Sequence, residues 1–437
     1  MAEPTLEVFK LGGSYVKALK CRECGKEFSP TKVYACNQCF GPLEVIYDVD
    51  SMKLCKATFE SRPRTIWRYR ELLPINDWKK VIYLEAGYTP LRKCDRLAKA
   101  LGLKKLYIKD DTVNPSGSFK DRPAAVAVSK ALEFGVEAVG CASTGNLAAA
   151  IAAHAAKAGL PCYVFIPADT ETNKIVQAAA YGANIVAVEG TYDEVNRLAL
   201  QAAETYNWGF ANINIRPYYV EGSKTLAFEV CEQLGWKTPD HVIVPTASGA
   251  LLCAIDRGLK QFSELGLINH ENTRLTAVQP EGCSPIVKAF KSGKDNIEPV
   301  EKPRTIARSL AIGDPADGIY ALKAIRQSGG VAESATDDEI ISAIKLLGKT
   351  EGIFAEPAGG VTIAVAKKLV ESGEISGDEE VVCCVTGSGF KASECILQST
   401  PQFETIKPNL KDLEKLVAKI RRDVNGKSES KILRSAG

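Results

Sequence analysis

A lysine, four small-residue loops and a cysteine quartet hold the chemical potential of this sequence. Lys120 lies in Asn114-Pro-Ser-Gly-Ser-Phe-Lys120-Asp-Arg-Pro, between an apolar run at 106–108 and a helical pattern that opens near Asp121. A strand-to-helix junction is where open α/β sheets place ligands. Gly117 and Ser118 let the backbone approach a bound group, and a helix N-terminus adds orphan N–H groups and a positive dipole end. Those features favour a nucleophilic amine. The segment alone also fits a solvated surface lysine.

Three further loops follow apolar strand-like runs. Ala142-Ser-Thr-Gly-Asn146 could bind a carboxylate through backbone N–H groups and hydroxyls. Pro245-Thr-Ala-Ser-Gly-Ala250 could wrap a phosphate. Thr386-Gly-Ser-Gly389 comes after Val385. One such loop is a weak signal. Four at strand ends, expected at the carboxyl edge of one sheet, suggest a phosphorylated cofactor attached to the lysine.

The quartet is Cys21-x-x-Cys24 and Cys36-x-x-Cys39. Two CxxC pairs can converge on one tetrahedral zinc ion, and four thiolates leave no open position for catalysis. Gly25 and Gly41 follow the pairs, where tight turns need positive φ. Ordinary reduced thiols are the other reading. The remaining ten cysteines mostly sit in apolar runs and read as small buried side chains.

These groups need elements to position them. From Tyr83 onward, short apolar runs alternate with alanine-rich helical stretches, including 122–134, 147–158, 173–181 and 192–206. That alternation predicts an α/β fold with parallel sheets covered on both faces. Residues 1–60 differ: they carry the quartet and β-rich text at Val33–Ala35 and Leu43–Tyr47. The expected organisation is a ribbon-like segment over 1–60, a catalytic region over 61–400, and a docked helix with a mobile tail over 401–437.

The 437 residues carry a net charge of +2, which argues against nucleic acid and membrane surfaces as partners. No signal peptide or membrane-length apolar run is visible, so a reducing cytoplasmic setting is expected. Only three histidines are present, few for imidazole-based chemistry.

Ser118-Phe-Lys-Asp-Arg122, Ala142-Ser-Thr-Gly-Asn146 and the phosphate loop resemble the fold-type II pyridoxal-phosphate enzymes. Gly87-Tyr-Thr-Pro-Leu91, the Glu221-Gly-Ser-Lys-Thr225 segment, Ile353-Phe-Ala-Glu-Pro357 and Thr386–Lys391 are similar to the threonine synthase family. The text around Cys39–Val45 is similar to its ribbon-bearing subgroup. The resemblance runs from about the ribbon to about Ser393. It implies a tryptophan synthase β-like fold with two open parallel-sheet subdomains and an N-terminal zinc-ribbon-like segment.

It also implies roles. Lys120 would carry pyridoxal 5'-phosphate as a Schiff base and move protons. Asn146 would meet the cofactor's phenolic oxygen. Ala247, Ser248, Gly249 and Ala250 would cradle its phosphate, and Thr386 would face its pyridine nitrogen. Ser143, Thr144 and Gly145 would take the substrate carboxylate. The implied reaction converts O-phospho-L-homoserine and water to L-threonine and phosphate, the last step of threonine biosynthesis. A lysine and a cofactor would then replace histidine, and a homodimer follows by analogy with the fold type.

The sequence departs from the family at Leu147, where several members carry a hydroxyl, and at Tyr219, where others carry an arginine that helps bind substrate phosphate. Asn214, Arg216 and Lys224 could supply those donors, or could be helix-end and surface groups. The alternative activity is another β-elimination or β-replacement on the same fold, such as a threonine/serine dehydratase or cysteate synthase. A binding protein with a degenerate enzyme domain is disfavoured, because Lys120, Asn146 and Thr386 are all present.

Overall fold

The computed structural model describes residues 15–270, 272–397 and 403–421. Among these residues thirteen strands are formed: β1 (Val16–Cys21), β2 (Glu27–Phe28), β3 (Leu43–Tyr47), β4 (Leu91–Lys93), β5 (Lys105–Asp110), β6 (Ala138–Ala142), β7 (Cys162–Pro167), β8 (Asn184–Val188), β9 (Trp208–Phe210), β10 (His241–Pro245), β11 (Arg274–Pro280), β12 (Ala332–Ala335) and β13 (Glu380–Val385). They build three sheets, in the orders β2-β1-β3, β12-β11-β10-β13-β5-β4 and β8-β7-β6-β9. The four-stranded sheet is parallel throughout, and the six-stranded one is parallel except for edge strand β4. The runs at β6, β10 and β13 are buried at almost every residue, as strands covered on both faces must be. This is the expected α/β architecture with two parallel-sheet layers.

The described residues divide into two compact units at Cys395–Ile396, so those of the expected ribbon-like segment lie in one unit with those of the expected catalytic region up to Cys395. The second contains a helix over residues 410–421, where the apolar spacing places one. The expected tail beyond it lies outside the described residues. Among those residues, no helix is long and apolar enough to cross a membrane.

Two local expectations change. Residues 33–35 form no strand, and β3 pairs instead with Val16–Cys21. The chain at 33–35 has to enter the second cysteine turn, which closes through Cys36 N–H to the Gly41 carbonyl and Phe40 N–H to the Cys36 carbonyl. Gly25 has the predicted positive φ of 74°, but at the second turn it is Phe40 (57°) rather than Gly41 that is left-handed. Gly41 is needed for space: a Cβ there would lie 2.9 Å from Cys21 Sγ. The helix expected over 173–181 is also broken, into a 3-10 turn at Thr172–Lys174 and a short helix at Val176–Ala180.

The quartet is assembled. All four Sγ atoms lie within 4.8 Å of one another, with Cys21–Cys39 at 3.4 Å and Cys24–Cys36 at 3.6 Å. A tetrahedron of Zn–S bonds separates its sulfurs by about 3.8 Å, so these donors fit a structural zinc ion. All 14 cysteines are free. Eight of the other ten are buried, whereas Cys55 is exposed and Cys395 half-buried. The purified protein is expected to carry roughly one zinc per chain. Cys36→Ser should lower both zinc content by elemental analysis and the thermal midpoint.

Behind the lysine loop sits a fully buried ionic cluster. Arg122 Nε and Nη2 reach both carboxylate oxygens of Asp111 at 2.7 and 2.8 Å. Nη1 and Nη2 engage both oxygens of Glu229, the Nη2 contact at 2.8 Å. Lys109 Nζ pairs with Glu229 at 2.7 Å, and Thr89 Oγ1 donates to Asp111 at 2.5 Å. Two cations thus face two carboxylates at near-zero exposure. Burial alone pushes the Glu229 carboxyl up, but Arg122 and then Lys109 outweigh it and hold it at about 2.

Relative to the ordinary 4.5, that lowered value stabilises the fold above about pH 4.5, and the contribution is lost as pH falls toward 2. Arg122→Ala leaves Asp111 without a cation and Glu229 with Lys109 alone, and should cost about 3–5 kcal/mol in urea unfolding at pH 7. It should also flatten the loss of stability expected of the wild type between about pH 4.5 and pH 2.

Candidate active site

One cavity of ≈1590 Å³ opens inside the first unit. Lys120, the 142–146 loop, residues 245–250 and Thr386 all line it. The expectation of one common sheet edge needs correction. The loops after β5, β10 and β13 leave the six-stranded sheet, whereas 142–146 leaves β6 of the four-stranded sheet. The site is therefore assembled from the carboxyl ends of both sheets.

Backbone contacts pin the loops together. Phe119 N–H donates to the Thr386 carbonyl at 2.8 Å, and Ser388 N–H donates to the Gly117 carbonyl at 2.9 Å. Gly117 (φ 78°) turns the chain ahead of Lys120. Lys120 Nζ lies 4.6 Å from the centre of the Phe119 ring and 5.7 Å from that of Tyr219. Among the described residues it has no hydrogen-bond or ion-pair partner.

Helix starts differ in how their first N–H groups are satisfied. Helices Tyr192–Thr205 and Asp337–Glu351 begin with complete capping boxes, Thr191/Glu194 and Thr336/Glu339. Helices Asp121–Glu133, Asn146–Ala158 and Ala250–Glu264 begin at Lys120, Gly145 and Gly249 with no side-chain cap. The last two present open N–H groups at the cavity, an arrangement suited to anions. Gly249 has a φ of 94°, and a Cβ there would lie 2.7 Å from the Asp317 carbonyl oxygen, so only glycine fits this turn.

Asn146 Nδ2 donates to both oxygens of Glu356 at 3.1 Å. One bifurcated N–H satisfies both contacts and leaves the second for a ligand oxygen. Burial raises the Glu356 carboxyl above its usual range, while Asn146, Lys391 and Lys120 pull it down. Burial lowers Lys391, against the pull of Glu356 and Asp121. Beside Lys120, burial pushes Asp121 up to about 6 although Ser116 donates to it twice at 2.8 Å. Among the described residues the buried Tyr219 hydroxyl has no hydrogen-bond partner, and the side chain lines the cavity. The free amine, the uncapped helix starts and this orphaned hydroxyl form a donor set that fits a phosphorylated aldehyde cofactor with an anionic substrate.

Not every proposed phosphate donor reaches this cavity. Arg216 lines it, with Nη2 on Asp317 at 2.5 Å. Asn214 does not: its amide accepts from Phe210 N–H at 2.7 Å and donates to the Trp208 carbonyl at 2.9 Å, closing a turn, and Asn212 faces the cavity instead. Lys224 does not either. It is buried, pairs with Glu221 at 2.5 Å, donates to Gln261 at 2.9 Å, and helps seat β3 through Tyr47. Glu356, Lys391 and Asp317 also line the site. The first two stand within motif text already noted, but only the folded chain turns them toward the lysine.

The fold and site fit an enzyme that uses a phosphorylated cofactor, and residues 82–387 match the family model described as pyridoxal-phosphate dependent enzyme. The chain is 41% identical over 404 residues to threonine synthase of Methanocaldococcus jannaschii, covering 92% of this chain and 99% of that one. It is 42% identical over 394 residues to threonine synthase of Methanosarcina acetivorans, covering 90% and 96%. Maize serine racemase shares the fold, with a TM-score of 0.60 at 23% identity over 71% of this chain and 91% of its own. The processed form of threonine deaminase isoform 2 from Solanum lycopersicum gives 0.58 at 25% identity, covering 70% and 82%. The chain belongs to the threonine synthase family of fold-type II pyridoxal-phosphate enzymes.

Gly249→Ala should weaken retention of the cofactor at least about tenfold, because strain at positive φ adds to the clash with Asp317. Titration of the apoprotein followed by visible absorbance checks this.

Proposed function

We propose that the protein is a threonine synthase that converts O-phospho-L-homoserine and water to L-threonine and phosphate. The observation that carries this reading is the cavity itself. It gathers a free lysine amine and two open helix starts in a chain more than 40% identical to threonine synthases over nine-tenths of its length.

Lys120 would hold pyridoxal phosphate, with Ala247–Ala250 around the phosphate, Asn146 at the phenolic oxygen and Thr386 at the pyridine nitrogen. When bound, the cofactor supplies an electron sink for carbanions beside the amino group. The residues of the chain do the rest. Ser143, Thr144 and Gly145, at the uncapped start of helix Asn146–Ala158, bind the substrate carboxylate. The Lys120 amine takes the proton from Cα and returns protons along the same face, so no histidine is needed. The same amine then takes a proton from Cβ, whose C–H electron pair forms the Cβ–Cγ double bond as phosphate leaves Cγ with its C–O electron pair, and Arg216 supplies charge for that phosphate. A proton returns to Cγ, and water adds across Cα and Cβ, its hydroxyl going to Cβ and a proton to Cα.

Thr386 would offer a neutral partner to the pyridine nitrogen, where a carboxylate would favour its protonation. Glu356 is well placed to hold the Asn146 amide in its donating orientation. The same reading carries a homodimer and a cytoplasmic setting, the latter supported by 14 free thiols.

Purified protein loaded with cofactor should release phosphate from O-phospho-L-homoserine and form threonine in equal amount. Lys120→Ala should lose the visible absorbance of the lysine-bound cofactor and at least about a thousandfold of the rate. Formation of keto acids from serine or threonine, with no phosphate release from O-phosphohomoserine, would move the protein to the dehydratases.

A further inference from the structure

The cysteine ribbon lies outside the cavity, yet one of its residues reaches a carboxylate that lines it. Arg22 sits between Cys21 and Cys24, and its guanidinium carbon lies 3.6 Å from the centre of the Tyr320 ring. Its Nη1 is 3.5 Å from Asp317 Oδ1. The other oxygen of Asp317 accepts from Arg216 Nη2 at 2.5 Å. Asp317 is 4% exposed, so this buried carboxylate is shared by an arginine of the ribbon and an arginine of the cavity. The Asp317 backbone also reaches the phosphate loop: its N–H donates to the Ser248 carbonyl at 2.8 Å, and its own carbonyl fills the space beside Gly249. Tyr320, under Arg22, hydrogen-bonds Glu23 of the same knuckle. Arg22 Nε has one further acid nearby, Glu44 at 3.8 Å, which also faces Arg257 at 3.7 Å.

We propose that Arg22 is a positioning residue through which the metal knuckle holds Asp317, and with it Arg216 and the Ser248–Gly249 loop, in their working arrangement. Metal bound by the quartet fixes the two-residue knuckle and so the place of the guanidinium. With Arg22 present, the Asp317 charge is divided between two arginines, and Arg216 keeps net positive charge toward the cavity. Without it, Asp317 neutralises Arg216 and its backbone is held less firmly against the phosphate loop. Removing Arg22 therefore weakens binding of anions at the site without touching the proton-transferring amine. The substrate part of this inference rests on the function proposed above; the cofactor part does not.

The test uses the full-length holoenzyme as wild type, Arg22→Gln and Arg22→Lys. Arg22→Gln keeps much of the side-chain stem while removing the charge. Zinc content, the cofactor dissociation constant from visible absorbance, and kcat and KM with O-phospho-L-homoserine are measured for each. Arg22→Gln is expected to keep its zinc, to raise the cofactor dissociation constant and KM roughly fivefold, and to change kcat less than about twofold. Arg22→Lys should recover most of both losses. Stripping zinc from the wild type with a chelator should loosen the cofactor to a similar extent, and should loosen it no further in Arg22→Gln.

Unchanged cofactor dissociation in either zinc-replete Arg22→Gln or zinc-stripped wild type overturns the proposal. A defect that lysine does not rescue, or a loss confined to kcat, also overturns it. If the wild type releases no phosphate, the proposed function falls, and the cofactor and zinc measurements, which need no substrate, still decide the role of Arg22.

Discussion

The buried guanidinium of Arg122 is the constraint on which the site depends. It lies two residues after Lys120, and its bonds to Asp111 and Glu229 join the segment after β5, the start of helix Asp121–Glu133 and helix Thr225–Gln233. Tyr88 N–H donates to Glu229 at 2.6 Å, and Gly87 N–H donates to Asn114 at 3.0 Å, so the Gly87–Leu91 segment is drawn into the same centre. Buried ion pairs are poor net stabilisers because desolvation offsets their attraction. Their geometry is directional, however, and few alternative packings satisfy four charges at once. The cluster fixes the backbone from which Lys120 projects and leaves the amine itself unpaired.

Around that centre helix starts are treated in two ways. Helices Tyr192–Thr205 and Asp337–Glu351 begin with Thr–Glu capping boxes, which satisfy their own N–H groups. Helices Asn146–Ala158 and Ala250–Glu264 begin at cavity glycines with no side-chain cap. Close packing imposes other glycines. A Cβ at Gly222 would lie 2.4 Å from the Arg122 carbonyl oxygen, and one at Gly387 would lie 2.5 Å from the Glu356 carboxylate. Several of the small residues that look like ligand-binding text are therefore spacers between elements that must touch.

The ribbon is bound into this scheme. Tyr47 donates to Glu221 at 2.8 Å, Tyr218 donates to the Thr31 carbonyl at 2.8 Å, and Arg22 approaches Asp317. Lys224 and Glu221 belong to this seam, which is why a lysine that reads as a phosphate ligand serves to seat the ribbon.

Local chemistry was legible in the sequence wherever it is local in space. The spacing of four cysteines predicts a tetrahedral donor set, apolar runs predict covered parallel strands, and the Ser118–Arg122 and Ala142–Asn146 segments point to the pyridoxal-phosphate cofactor. What the sequence could not assign depends on rotation about elements and on contacts between distant segments. Asn212 rather than Asn214 faces the cavity because the turn after β9 uses the latter amide to close itself. The loops come from two sheets because the helix after Lys120 leads from β5 in one to β6 in the other. Asp317 carries no motif, and its importance exists only where two arginines nearly 200 residues apart converge on it. Residue type and spacing thus determined which chemistry this chain can perform. Tertiary packing decided which charges survive unpaired to perform it, because pairing in a buried site is settled by distances between segments that the linear order does not hold.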